Sequence, residues 1–329
     1  MFAGLRKPME LIVIVVTLLA YGCPVQAIVH AFDLDERTVA SWRDRAGQQC
    51  EQVHHHFVQQ GQLDLVHVQA DEIRVKGRQM IVWMGLAMMV STRLWLGGVV
   101  SVQRERKLAD RLLQQVRACC RPLQALLVCT DGWAAYPGSI KRAFREKVKR
   151  TAGRGRACLQ VWSELCIATV IKRTEKKRVV EVTRKMTRGT LEQASILLQA
   201  SLGGSVLNTA FIERFNGTMR ERRASLTRKC RHAAQRLEGL ESGMYLIGCT
   251  YNLCFPHHEL STSKHVGSAC TPAMAAGLTD HIWRVREVLT YKVAPLPWVE
   301  PKRRGRPRLR PVSEPAVPKR PPGRPRKVA

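Results

Sequence analysis

The chain has 329 residues, 54 of them Lys or Arg and 26 Asp or Glu, which leaves a formal net charge of +28. An apolar fraction of 45% excludes disorder throughout, and the length allows one catalytic domain of about 150–200 residues plus smaller modules. So much positive charge repels itself in a free monomer, so a phosphate-rich partner is a better explanation than a merely soluble or ribosome-associated basic protein.

The first 60 residues read as a helical head. Arg6 and Lys7 precede the apolar run 11–20, with Pro24-Val25-Gln26-Ala27 beyond it, which is the outline of a secretory signal. The run is too short to span a membrane. The next thirty residues favour a buried first helix instead: a second short helix at 24–32, a turn at Asp33-Leu34-Asp35, and a longer helix from Glu36 to about His56 with Val39, Trp42 and Val53 as its apolar face. Two short helices, a turn and a third helix form a helix-turn-helix pattern. The eleven cysteines have no repeating spacing, and Cys119-Cys120 are adjacent, so reduced cytosolic thiols are expected and a disulfide framework is not.

From residue 61 to 295 the pattern is that of an α/β core. Strands are expected at Val66–Val75, Gln79–Val90 and Arg93–Val102, the last bent at Gly97-Gly98. A helix comes next over Glu105–Cys119, with Leu108, Leu112, Leu113 and Val116 on one stripe. Leu123–Thr130 is a fully apolar strand, and a helix runs from Tyr136 to about Val148. Lys and Arg dominate 141–188, read as a mobile loop and then a strand at Arg178–Lys185. Leu191–Gly239 is mostly helical with a break at Gly203-Gly204. The order implies a mixed sheet covered by helices. Residues 296–329 are Pro, Gly, Arg and Lys with little apolar content, a disordered basic tail.

Three acids stand out because acids are scarce here. Asp71 is expected at the end of the first strand, and Asp131 ends the strand after the first long helix, where Gly132 lets the chain turn away. If those strands are neighbours, both carboxylates emerge at one sheet end. Glu213 falls in a helix on which Asn216 and Arg220 share its face. Glu72 would point to the opposite face of its strand from Asp71 and at best support the site from outside. Separated acids in apolar settings, on a chain that attracts polyanions, suggest metal-assisted chemistry on nucleic acid.

The segments Asp71-Glu72-Ile73, Thr130-Asp131-Gly132-Trp133 with Tyr136, and Ile212-Glu213-Arg214-Phe215-Asn216-Gly217 resemble the DDE transposases of bacterial insertion sequences, whose core is ribonuclease-H-like. Sixty positions separate the first two acids and 82 the second pair, in keeping with that order. The likeness extends to Tyr251-Asn252-Leu253-Cys254-Phe255-Pro256-His257 and Thr271–Leu278, and departs from the family at Phe255, where a basic residue is expected. It implies a metal-dependent DNA strand-cleavage and strand-transfer enzyme with Asp71, Asp131 and Glu213 as catalytic metal ligands. Two Mg²⁺ ions would be held there, replaceable by Mn²⁺, with Asp71 bridging them. Asn216, Arg220, Arg222 and Arg223 would contact double-stranded DNA. A homo-oligomer is implied, since two DNA ends must be held together, in a cytoplasmic, nucleoid-associated setting with no membrane partner.

Two weaker signals complete the reading. Arg304-Gly305-Arg306-Pro307-Arg308 and Gly323-Arg324-Pro325-Arg326 resemble AT-hooks, in which Arg304, Arg306, Arg324 and Arg326 would enter a narrow minor groove. Cys249, Cys254, His257 and His258, or Cys50 with His54, His55 and His56, could be assembled into a zinc site, but neither set has a paired Cys-x-x-Cys, and a structural role is favoured. The alternative to the enzyme is a DNA-binding protein without catalysis, either a regulator or a decayed transposase.

Overall fold

The computed structural model describes residues 2, 4–77, 80–148, 157–176, 178–227, 236–263 and 268–294. The described residues up to Val293 form one compact unit. The basic tail, with Arg304, Arg306, Arg324 and Arg326, lies outside the described residues.

Three helices open the chain, α1 (Met9–Ala20), α2 (Val25–Phe32) and α3 (Glu36–His54). Asp33 ends α2 in a left-handed conformation, and Asp35 caps α3 by accepting from the Arg37 N–H at 2.9 Å. No helix among the described residues is long and apolar enough to cross a membrane. The helical head shares its core with the sheet: Ile12, Val16, Val39, Trp42 and Val53 belong to the same buried cluster as Val68, Leu86 and Leu126.

Six strands form one sheet: β1 (His67–Lys76), β2 (Ile81–Met89), β3 (Trp95–Ser101), β4 (Leu126–Thr130), β7 (Leu165–Glu175) and β8 (Arg178–Arg188), in the order β3-β2-β1-β4-β7-β8. β4 runs parallel to β1 and β7, and the other pairings are antiparallel. The Gly97-Gly98 bend is a bulge, since Ala87 pairs with Gly97 and Met88 with Trp95, leaving Leu96 extra.

Helices cover both faces. α4 (Arg106–Cys119) and α5 (Ala135–Ala143) pack on one, while α6 (Leu191–Ala200), α7 (Ala210–Arg222) and α8 (Leu237–Leu253) pack on the other. β4 shows the consequence. Leu126 and Val128 enter the main cluster, Leu127 and Cys129 enter a second one with Ala194 and Leu198 of α6, and the strand is buried throughout.

Three sequence expectations are corrected. The helix expected to reach Val148 stops at Ala143, and Arg145–Val148 is β5, paired antiparallel with β6 (Cys158–Val161) around residues 149–156, which are outside the described set. The basic stretch 141–188 contains β7, whose first six residues are all buried, in place of the expected loop. Its exposed half, Ile171–Glu175, carries the charges that mask the buried half in sequence. Asp71 lies in the middle of β1 and not at its end, since the strand continues to Lys76.

The ten described cysteines are free thiols, seven of them buried. Burial pushes the Cys129 thiol up to about 12, so it stays protonated and packs as an apolar group.

α3 and α8 approach closely at Gly47, where a Cβ would collide with the backbone of Ser242. Gly47→Ala should therefore destabilise the fold by about 1–3 kcal/mol in urea denaturation despite the better helix propensity of alanine. Gly217→Ala on the exposed side of α7, with nothing within 4 Å of the added carbon, should instead gain up to about 1 kcal/mol. Equal effects at the two positions would contradict this packing.

Candidate metal centre

The register of β1 against β4 brings the first two acids together. His67 pairs with Leu127, Val68 with Val128, Gln69 with Cys129 and Ala70 with Thr130, so each partner lies 60 positions on. Asp71 and Asp131 continue that ladder by one step and leave the two strands side by side. β4 ends at Thr130 while β1 goes on, so the far half of β1 has no strand along this edge.

That open edge changes the role of Glu72. Strand alternation points it away from the site, yet Asp71, Glu72 and Asp131 each present a carboxylate oxygen within 4.8 Å of the others. This is the one group of three potential metal ligands among the described residues. Glu72 is held by Arg104, whose Nε donates to Oε1 at 2.7 Å, and by the Tyr136 hydroxyl, which donates to Oε2 at 3.0 Å. The Arg104 guanidinium lies over the rings of Trp83 and Trp133, 5.0 and 4.7 Å from their centroids, and 3.6 Å from Asp131. Asp131 accepts from the Trp133 N–H at 3.1 Å, which fixes the turn at Gly132.

α7 is anchored to β1 by two side chains that share its face at strand spacing. Buried Gln69 accepts from the Phe211 and Ile212 N–H groups at 3.0 and 3.1 Å, satisfying free donors of the first turn of α7. Its amide nitrogen donates to the Asn208 carbonyl at 2.9 Å. Two residues along, Asp71 accepts from Asn216 at 2.8 Å and from the Glu72 N–H at 2.8 Å.

Glu213 is thereby placed near the cluster but not in it. With Asp131, Arg104, Lys172 and Thr209 it lines a cavity of about 450 Å³. Its carboxylate accepts from the Thr209 hydroxyl at 2.6 Å and pairs with Lys172.

The expected DNA contacts divide. Asn216 is 1% exposed and committed to Asp71, with its Oδ1 buried and unpartnered. Arg223 turns inward, donating to the Gly239 carbonyl at 2.7 Å and the Ser225 hydroxyl at 3.2 Å. Both side chains are engaged within the protein, because one face of α7 rests on β1 and its C-terminal end meets the start of α8. Arg220 is half-buried. Arg222 lies over the Phe255 ring at 4.0 Å, bringing a cation beside the position where the resemblance implies one.

Sequence reasoning missed Gln69, Arg104 and Lys172 and undervalued Glu72. Strand alternation could have found Gln69, since it lies two residues before Asp71 on the same face. Arg104 and Lys172 carry no local signal.

The carboxylates raise one another's proton affinity. Burial, then the charges of Glu72, Asp131 and Glu213, push Asp71 up to about 7 against the pull of the Glu72 N–H. Burial also raises Asp131, helped by Glu213, and Glu72, helped by Asp131. Acids crowded so that none ionises easily suit a divalent cation, which would restore the charged forms. The donor set fits Mg²⁺ or Mn²⁺, which take oxygen ligands, and offers neither thiolate nor imidazole for a softer metal.

Folding raises the Asp71 pKa, so its stabilising contribution is complete below about pH 4 and is lost as pH rises through about 7. In the metal-free protein Asp71→Asn should be more stable than the parent by roughly 2–4 kcal/mol at about pH 8, with the gain vanishing near pH 4. Thermal denaturation at both pH values checks this, and a gain independent of pH would refute the raised carboxyl. Compared with protein-family models and with curated proteins, the chain matches none.

Proposed function

We propose that this chain is a DNA transposase of the DDE type, cleaving and joining strands at a divalent-metal centre built on Asp71, Asp131 and Glu213 with Glu72 beside them. The observation that carries this reading is the β1–β4 register, which sets Asp71 and Asp131 side by side with Glu213 across the adjoining cavity. The strand order, with three parallel strands β1, β4 and β7 flanked by antiparallel ones, is compatible with a ribonuclease-H-like core. The net charge of +28 supplies the attraction for duplex DNA.

Asp71, Glu72 and Asp131 would hold the ions, and Glu213 would join them on exchanging Lys172 for a metal. Bound Mg²⁺ would supply an activated water or DNA 3′-hydroxyl and neutralise charge on the leaving oxygen. The chain's own residues set the geometry. Asn216 orients Asp71, Gln69 fixes the start of α7 and so the position of Glu213, and Tyr136 with Arg104 holds Glu72. The helical head would read the element ends, the tail would add minor-groove grip, and a dimer or larger assembly would hold two ends.

A second reading is a DNA-binding protein without catalysis. It is favoured by the two protein cations already seated on the acids, Lys172 on Glu213 and Arg104 on Glu72.

Purified protein, Mg²⁺ and a labelled duplex carrying the repeats that flank the gene separate the two. Asp71→Asn and Asp131→Asn should abolish cleavage while leaving duplex affinity within about twofold, and Asn216→Ala should lower the rate by about 10–100-fold as an orienting residue. Cleavage that survives Asp131→Asn refutes the site. Folded wild-type protein that binds the duplex and yields no metal-dependent product establishes the second reading.

A further inference from the structure

The other side of α7 bounds a second cavity. Phe211, Arg214, Phe215, Thr218 and Arg222 recur there at helical spacing, facing away from Glu213 and Asn216. Arg93 from the turn after β2 and the stretch Phe255-Pro256-His257 after α8 close a space of about 180 Å³. That is below the roughly 300–1,000 Å³ of sites for drug-sized ligands, so the occupant is small.

Its walls are cationic and aromatic. The Arg93 guanidinium lies 3.9 Å from the Phe211 ring centroid and that of Arg222 lies 4.0 Å from Phe255. Glu259 pairs with Arg93 at 3.4 Å and with Arg214 at 3.5 Å, one carboxylate against two guanidinium groups, with Arg222 a third. Arg93 Nε, Arg222 Nη1 and His257 Nδ1 are buried without a hydrogen-bond partner. Unsatisfied buried polar groups are uncommon, and the two guanidinium donors among these leave the lining of this cavity short of acceptors. Burial lowers the proton affinity of both Arg93 and Arg222, as expected of cations held away from water.

We propose that this cavity binds the phosphate of one nucleotide unit of a nucleic-acid strand, with Arg93 and Arg222 donating to its oxygens. A guanidinium donates charge-assisted hydrogen bonds to phosphate oxygens, and two of them flank this space. Phe211, Tyr251 and Phe255 offer apolar surface to the sugar or base, the combination by which proteins hold single strands. The assignment goes beyond the metal-centre reading and does not require the acids to hold an ion.

Titration with deoxythymidine 5′-monophosphate, at matched ionic strength, tests it on the full chain. Wild-type protein should bind, and Arg93→Gln and Arg222→Gln should each weaken binding by about tenfold or more, the loss expected for one charge-assisted hydrogen bond. Arg173→Gln, an exposed arginine remote from the cavity lining, should bind as the parent does. Cooperative melting of each variant shows that it folds, and either guanidinium substitution suffices if the other does not. No binding by wild type, equal losses in Arg173→Gln, or no loss in a folded cavity variant overturns the site. Equal affinity for inorganic phosphate overturns the nucleotide assignment.

Discussion

Gln69 and Asp71, two residues apart on β1, attach α7 to the sheet, and the geometry of the acid site depends on that attachment. A helix start leaves N–H groups unpaired, and in a buried setting each must find an acceptor. Gln69 provides it for Phe211 and Ile212, while Asp71 takes the Asn216 amide one turn further on. Side-chain capping of this kind contributes about 0.5–2 kcal/mol, and the Asn216 bond to Asp71 holds the next turn. The two contacts fix both the height and the rotation of α7, and therefore where Glu213 can reach.

The resulting site sets local electrostatics against the global charge. The chain is strongly cationic, yet its three crowded carboxylates make one point that repels further negative charge. Arg104, held between Trp83 and Trp133, and Lys172 on β7 reduce that repulsion. At Glu72, removing Arg104 leaves a carboxylate that burial already disfavours, so protonation or a metal ion must replace the cation.

α7 divides two chemistries. Its acidic side faces the end of β4, and its arginine side faces the loops after β2 and α8. A strand held on the arginine side would press on the same helix that carries Glu213, so the two sides share one rigid element and respond to each other through its position.

Much of this was legible in the sequence. The alternation of β1, the apolar run of β4 and the stripe of α4 are local patterns, and a spacing of 60 between Asp71 and Asp131 is a register once the strands are known to be neighbours. The buried half of β7 was hidden because charges at Lys172, Arg173 and Glu175 dominate the same stretch. The nearness of Glu72 to the other two acids was not legible because strand alternation says only which face a side chain leaves from, and that β4 stops at Thr130 beside β1 is a tertiary fact. Asn216, Arg222 and Arg223 read alike as polar residues on a helix. Which of them meets Asp71, Phe255 or Gly239 was decided by what packs against α7 from segments far away in the chain, and no local pattern encodes that.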